Sequence, residues 1–338
     1  EGQRITCRVE VSGDLSNNKG VNRQGGGLSA DALTEKDKRD IITAAKMQAD
    51  YVAISFPRSA EDINTARQLL RDAGGYGGII AKIERAEALD VLDEIIKASD
   101  AVMVARGDLG VEIGDAALPP VQKKIIQRAR RLNRTVITAT QMIESMITNA
   151  IPTRAEVFDI ANAILDGTDA VMLSGETAVG KHPVKVIEAV DRICLKAEQQ
   201  REIRISRHRM DSEFERIDEA IAMAAMYMAN HLDVKAIAAL TETGSTPLWM
   251  SRVSSGIPIF ALTPHVATCR RMSLFRGVYP ISFTVDHDDY TALNKEAIDE
   301  LQRQGVVRDG DLVIITKGEL EEKGGTNALK LVRVGDMG

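Results

Sequence analysis

Ile79-Ile80-Ala81-Lys82-Ile83-Glu84 is an apolar run that ends on a cation and an anion, and Asp100-Ala101-Val102-Met103-Val104-Ala105 runs straight into Arg106-Gly107-Asp108-Leu109-Gly110. Both runs read as buried strands. Side chains alternate across a strand, so Lys82 and Glu84 point to the same side. Charges at the end of a buried strand need a partner or a purpose. A lysine, two acids and a glycine turn on neighbouring strand ends suggest a site for a metal and a phosphorylated anion.

Reading outward, strand and helix alternate from about residue 29 to 198. The strands expected are Tyr51–Phe56, Gly78–Ile83, Ala101–Ala105, Thr135–Thr138 and Ala170–Leu173, with helices at 35–48, 60–73, 86–97, 119–132 and 154–166. Thr153-Arg154-Ala155-Glu156 is a capping-box pattern opening the last of these. Short apolar strands separated by helices imply a parallel sheet, doubly wound or barrel-like. Nearly every strand ends in polar residues: Ser55 and Arg58, Lys82 and Glu84, Arg106 and Asp108, Thr138, Thr140 and Gln141, Ser174 and Glu176. An open sheet would confine such residues mainly to its switch point. Polar groups on successive strand ends are the pattern of a (β/α)8 barrel. Five of its eight strands are expected here, numbered fourth to eighth, and the other three units are expected before residue 1.

On either side the text changes. Arg4–Val11 alternates like an edge or hairpin strand, and Ser16–Gly20 and Gly25-Gly26-Gly27 read as turn and linker. Residues 1–28 are expected to be the tail of a small β domain. Past the charged run Glu198–Arg209, helix Asp218–Leu232 leads into strand Val234–Leu240 and the loop Thr241-Glu242-Thr243-Gly244-Ser245-Thr246. Strands at Ile257–Leu262, Val278–Phe283, Asp311–Thr316 and near Lys330–Val334, with helices near 266–275 and 291–304, make 199–338 a second α/β domain. Helix 218–232, rich in Ala and Met, suits a subunit contact or an ordinary core position.

Composition excludes several classes. With 338 residues, 44% hydrophobic and 27% charged, the chain reads as globular, and it is long enough for more than one core. A net charge of −6 without a basic block argues against nucleic acid. No apolar run of about 18 residues suggests a membrane span, and no signal peptide is visible. Cys7, Cys194 and Cys269 are too scattered for a disulfide framework or a zinc site, which points to a reducing cytosol. The first residue is Glu1 rather than Met, so the natural start is expected to be absent or removed.

The residue types carry a chemistry. Glu84 and Asp108, on adjacent parallel strand ends, can both reach one hard cation, and Mg²⁺ favours one or two carboxylates completed by water and substrate oxygens. A lone acid there would cap a helix or form a surface salt bridge; the pair beside Lys82 favours the metal. Lys82 and Glu84 alone could be a plain ion pair, but an ammonium beside a metal is what phosphoryl transfer uses. Arg106–Gly110 turns a strand into a helix. Its N–H groups can face an anion, and Gly107 leaves the backbone approachable. Thr138, Thr140, Ser174 and Glu176 add hydroxyls and an acid, groups that singly are more often helix caps.

Taken together, these motifs resemble the pyruvate kinase family over essentially the whole chain. The resemblance rests on Leu33-Thr34-Glu35-Lys36-Asp37, Ala53-Ile54-Ser55-Phe56, Ile80–Glu84, Met103–Gly110, Thr138–Met146, Pro152–Glu156 and Met172–Ala178. The wording around Asn17–Gly20 and Gly25–Ser29 is similar to the bacterial type that does not depend on fructose 1,6-bisphosphate. The resemblance implies phosphoryl transfer from phosphoenolpyruvate to ADP, giving pyruvate and ATP, in a cytoplasmic homotetramer. It implies Mg²⁺, with Mn²⁺ as a substitute, on Glu84 and Asp108. It implies K⁺, with ligands mostly outside these residues. Lys82 would stabilise the phosphoryl in flight; Gly107 and Asp108 would hold the substrate carboxylate, with Thr140 closing over it. Ser174 and Glu176 would sit by the water that protonates the enolate. The second domain resembles the family's regulatory domain, whose allosteric phosphate loop would be Thr241, Thr243, Gly244, Ser245 and Thr246. Many relatives carry a basic residue where Ser245 stands, and Glu242 adds a negative charge. Two other readings are open: another Mg²⁺-dependent barrel enzyme acting on an enolate, or a non-catalytic phosphometabolite-binding or assembly fragment. The 338 residues alone are expected to have little or no activity.

Overall fold

Three helices begin with the same local chemistry, and they set the frame of the parallel sheet. Thr34 accepts from the Asp37 N–H while the Asp37 carboxylate accepts from Thr34 N at 2.8 Å, opening α1 (Glu35–Lys46). Ser59 with Asp62 opens α2 (Ala60–Asp72), and Thr153 with Glu156 opens α6 (Arg154–Asp166). Each box satisfies two N–H groups that the first turn would leave bare. The computed structural model describes residues 6–14, 17, 20–27, 31–200, 213–284, 290–318 and 325–336.

Between the helices run β1 (Tyr51–Ile54), β2 (Gly78–Ile83), β3 (Ala101–Ala105), β4 (Thr135–Ala139) and β5 (Ala170–Met172). They form one sheet in sequence order, all parallel. Its register sets Lys82 beside Met103 and Val104 beside Thr138. One face packs on the helices: Ile79, Ala81, Ile83, Val102, Val104 and Val136 join Ile63, Leu70 and Ile95. The other face gathers Ile80, Ala101, Met103, Ile137 and Ala139, with Tyr51, Ala170 and Met172 against them. Helices on one face and a layer of apolar side chains on the other is how a barrel wall is built. The remaining helices of this part are α3 (Leu92–Ala98), α4 (Arg106–Ile113), α5 (Leu118–Arg131), α7 (Gly175–Ala178) and α8 (Pro183–Glu198).

The second unit comprises α9 (Ile217–His231), β6 (Val234–Leu240), α10 (Ser245–Arg252), β7 (Ile259–Thr263), α11 (Val266–Met272), β8 (Val278–Ser282), α12 (Tyr290–Arg303), β9 (Leu312–Lys317) and β10 (Ala328–Arg333). Its sheet order is β10-β9-β6-β7-β8, with β10 antiparallel and the rest parallel. On α9, Ala222, Ala225, Met226 and Ala229 pack into this unit's own core, which accounts for the small apolar residues of that helix.

The second unit seats on the N-terminal ends of the barrel strands, opposite the end bearing Lys82 and Glu84. Leu274 packs against the inner-face layer. Tyr51 Oη donates to Arg271 O at 3.3 Å, and burial pushes the Tyr51 phenol up to about 12. Arg252 and Asp169, each 1% exposed, form an ion pair. Arg252 Nη1 also donates to Arg134 O at 2.8 Å.

Several expectations need correcting. Residues 6–11 form no strand, and the first five residues of the chain lie outside the described ones. An alternating pattern needs a partner strand to become one. The helix expected at 86–97 is a 3₁₀ turn at Glu87–Leu89 followed by α3, and neither piece has a side-chain cap. Helix α4 starts at the Arg106–Gly110 turn as expected, whereas α7 and α8 lie outside the expected helices. The boundary run 198–209 lies outside the described residues from 201 on.

Candidate active site

The end of β2 carries a part-buried charge pair and its hydrogen-bond partners. Lys82 Nζ stands 2.6 Å from Glu84 Oε1 and donates to Ser55 Oγ, just past β1, at 3.0 Å. Glu84 Oε2 accepts from Phe56 N at 2.9 Å. Phe56 adopts φ 55°, a left-handed conformation that is costly for a bulky residue and is found where surroundings enforce it. The Arg85 guanidinium lies 5.6 Å from its ring centroid. Glu84 is 1% exposed. Burial pushes its carboxyl up, Lys82 and the Phe56 N–H pull it down, and the charge of Asp108 pushes it up again; the net direction is upward. Asp108 therefore acts on Glu84 electrostatically from the neighbouring strand end, and both acids gain if a cation arrives.

Asp108 sits in the first turn of α4, which starts directly at the end of β3. Beside it, Gly107 N donates to Thr140 Oγ1 at 2.9 Å, and Thr140 Oγ1 donates in turn to Ala139 O at 2.6 Å. A Cβ on Gly107 would meet only Thr140, at an ordinary 3.7 Å, so the space above this backbone is open to a ligand. Thr140 and Gln141 have φ of 66° and 53°. What holds that strained pair is Arg106, 5% exposed. Its Nη2 donates to Thr140 O at 2.6 Å and to Gln141 O at 2.8 Å, while Nη1 binds both carboxylate oxygens of Asp159 on α6. Arg106, Asp159 and Ser55 are thus part of the site's framework. In the sequence Ser55 and Arg106 stand out only as polar strand-end residues, and nothing there marks Asp159, whose partner Arg106 is 53 residues away.

The structure brings Lys82, Glu84, Gly107, Asp108 and Thr140 to one end of the sheet. Ser174 and Glu176 follow β5 at that end, but their visible engagement is local: Glu176 is buried, and its Oε2 accepts from Ser174 N at 2.8 Å. The Ser174 side chain is exposed.

Two carboxylates are an adequate protein contribution for Mg²⁺, which takes only hard oxygens and keeps waters and substrate atoms for the rest. Glu84, shielded from water, and Asp108, its like-charged neighbour, fit that requirement. Among the described residues no group of three or more His, Cys, Asp or Glu side chains gathers.

In the second unit the loop before α10 is knitted internally. Gly244, at φ 80°, donates to Thr241 Oγ1 at 2.9 Å. Thr243 Oγ1 and Ser245 Oγ are 2.9 Å apart, and buried Thr246 bonds Thr326 through their hydroxyls at 2.7 Å. Glu242 pairs with His265 at 2.5 Å. Arg271 Nη2 reaches Thr243 O at 3.1 Å, so a cation stands at this loop although position 245 is serine.

Residues 1–187 match the family described as pyruvate kinase, barrel domain, and residues 219–332 match pyruvate kinase, alpha/beta domain. Pyruvate kinase II of Salmonella typhimurium is 56% identical over 339 residues, which cover 99% of this chain and 70% of that protein. Pyruvate kinase of Haemophilus influenzae is 56% identical over 322 residues, 94% of this chain and 67% of that protein. A Buchnera aphidicola pyruvate kinase is 54% identical over 338 residues, 98% of this chain and 70% of that protein.

Proposed function

This chain belongs to the pyruvate kinase family, and from that membership we propose that its site moves a phosphoryl group from phosphoenolpyruvate to ADP, giving pyruvate and ATP. The observation that carries the reading is the Lys82–Glu84 pair, 2.6 Å apart, on the strand end next to Asp108 and Thr140. Glu84 and Asp108 would hold Mg²⁺, or Mn²⁺ in its place, and the bound ion supplies positive charge to the phosphoryl oxygens. Lys82, freed from part of its contact with Glu84, offers its ammonium to the migrating phosphoryl, whose charge is spread over three oxygens. The Gly107 and Asp108 N–H groups at the start of α4 receive the substrate carboxylate. Gly107 N is engaged by Thr140 Oγ1, so carboxylate binding requires Thr140 Oγ1 to release that N–H, and its hydroxyl, turned from Ala139 O, then donates to the substrate as Thr140 closes over it. Ser174 and Glu176 are assigned to the water that delivers the proton to the enolate carbon.

In this reading residues 1–28 are the tail of the lid, 29–198 the barrel part and 199–338 a regulatory domain. The Thr241–Thr246 loop takes an effector phosphate beside Arg271. The enzyme works in the cytoplasm as a homotetramer; no helix among the described residues is long and apolar enough to cross a membrane. The 338 residues by themselves present an open five-stranded sheet and show little turnover. The test is ADP-dependent pyruvate formation from phosphoenolpyruvate by the full-length protein. Pyruvate release without ADP would favour a different enolate enzyme, and no reaction would favour a binding module.

A further inference from the structure

We infer that Asn22 is a positioning residue for Asp108, and that the glycine strap 20–27 docks on the cation side of the site through it. Asn22 lies 86 residues ahead of Asp108, yet its Nδ2 donates to Asp108 Oδ1 at 2.8 Å. Two more tethers hold the strap. Gly25 N donates to Glu112 O at 2.8 Å, and Gly27 N donates to Glu87 Oε1 at 2.5 Å. Glu87 follows β2 and Glu112 lies on α4, so the strap grips the two segments that carry Glu84 and Asp108. The grip requires glycine. Gly25, Gly26 and Gly27 have φ of 84°, 73° and 84°, and a Cβ on Gly26 would fall 2.6 Å from the Glu87 carboxylate.

The chemistry of the contact is specific. An amide N–H on one oxygen fixes the rotation of a carboxylate without cancelling its charge, and the other oxygen stays free for a cation. A lysine or arginine at position 22 would compete with that cation. Groups that orient a metal ligand in this way set metal affinity without touching the metal. The inference rests on the reading of Asp108 as a cation ligand.

The experiment measures Mn²⁺ binding to the 338-residue chain by electron paramagnetic resonance of the free ion. Asp108→Asn removes the site. Asn22→Ala weakens Mn²⁺ about tenfold, and the double variant is no weaker than Asp108→Asn alone. Gly26→Ala, which leaves Asn22 and Asp108 intact but displaces the strap, weakens it comparably. In the full-length protein, Asn22→Ala raises the Mg²⁺ concentration needed for half activity and leaves kcat at saturating Mg²⁺ nearly unchanged, a split that general loosening would not give. Native Mn²⁺ affinity in Asn22→Ala and Gly26→Ala, with binding lost in Asp108→Asn, overturns the positioning role and leaves the ligand assignment standing. Undiminished binding in Asp108→Asn overturns both.

Discussion

Replacing Asp169 by alanine should loosen the seat between the two units. Asp169 precedes β5 and pairs with Arg252; both side chains are 1% exposed. Its Oδ2 accepts from Arg252 Nη1 and from Val136 N, each at 2.9 Å, and Oδ1 accepts from Arg276 N at 3.1 Å. The alanine variant strands the Arg252 guanidinium in a dry interface and leaves two backbone N–H groups without an acceptor. Removing one partner of a buried ion pair costs about 3–5 kcal/mol. At about 2–4 °C per kcal/mol for a unit of this size, the melting temperature should fall by about 6–20 °C. Calorimetry would show it as an earlier, broader transition, because the two units lose their coupling. Adding Arg252→Met should recover much of the loss, since the stranded charge is then gone. A single variant within about 1 kcal/mol of the parent, or a double variant worse than both singles, would refute the argument that this buried pair contributes strongly to joining the units.

Glu156 offers a pH test. Burial pushes its carboxyl up, but bonds from Ser145 and Thr153 outweigh burial and hold it below the ordinary range. A carboxyl depressed in the folded state adds stability above its unfolded value and loses it as pH falls through the folded one. The melting-temperature gap between the parent and Glu156→Gln should therefore be widest near neutral pH and close in acid; a gap independent of pH would contradict this. Arg106→Met should release the strained Thr140–Gln141 turn, raising the KM for phosphoenolpyruvate more than it lowers kcat and costing about 1–3 kcal/mol of stability from its charged hydrogen bonds. An unchanged KM would remove Arg106 from the framework. The 338-residue chain alone should show little or no turnover in a lactate-dehydrogenase-coupled assay; normal turnover would sink that expectation.

How far the sequence can be read depends on the range of the interaction. Gly78–Ile83 and Ala101–Ala105 have the bounds expected, because an unbroken apolar run between helices has one place to go. Thr153 and Glu156 announce α6 because a capping box is local chemistry. α8 follows the last strand of the barrel part, with no next strand to bracket it, so the strand–helix alternation does not reveal it. The residues that support the site are joined across long separations, Asn22 to Asp108 and Arg106 to Asp159, as is the pair Arg252 and Asp169 between the two units. Periodicity does not encode such pairs; each donor is visible in the sequence, but its partner is set by the fold. The alternation in Thr6–Val11 is a local preference to which tertiary structure supplies no partner among the described residues.

The most direct test of the central claim is turnover by Lys82→Met in the full-length protein, with Mn²⁺ binding measured on the same sample. The account expects kcat for pyruvate formation to fall about 10²–10³-fold, the cost of removing one donor aimed at developing charge, while Glu84 and Asp108 keep Mn²⁺ affinity within a few-fold. Turnover within tenfold of the parent would contradict it, because the ammonium 2.6 Å from Glu84 would then be an ordinary ion pair.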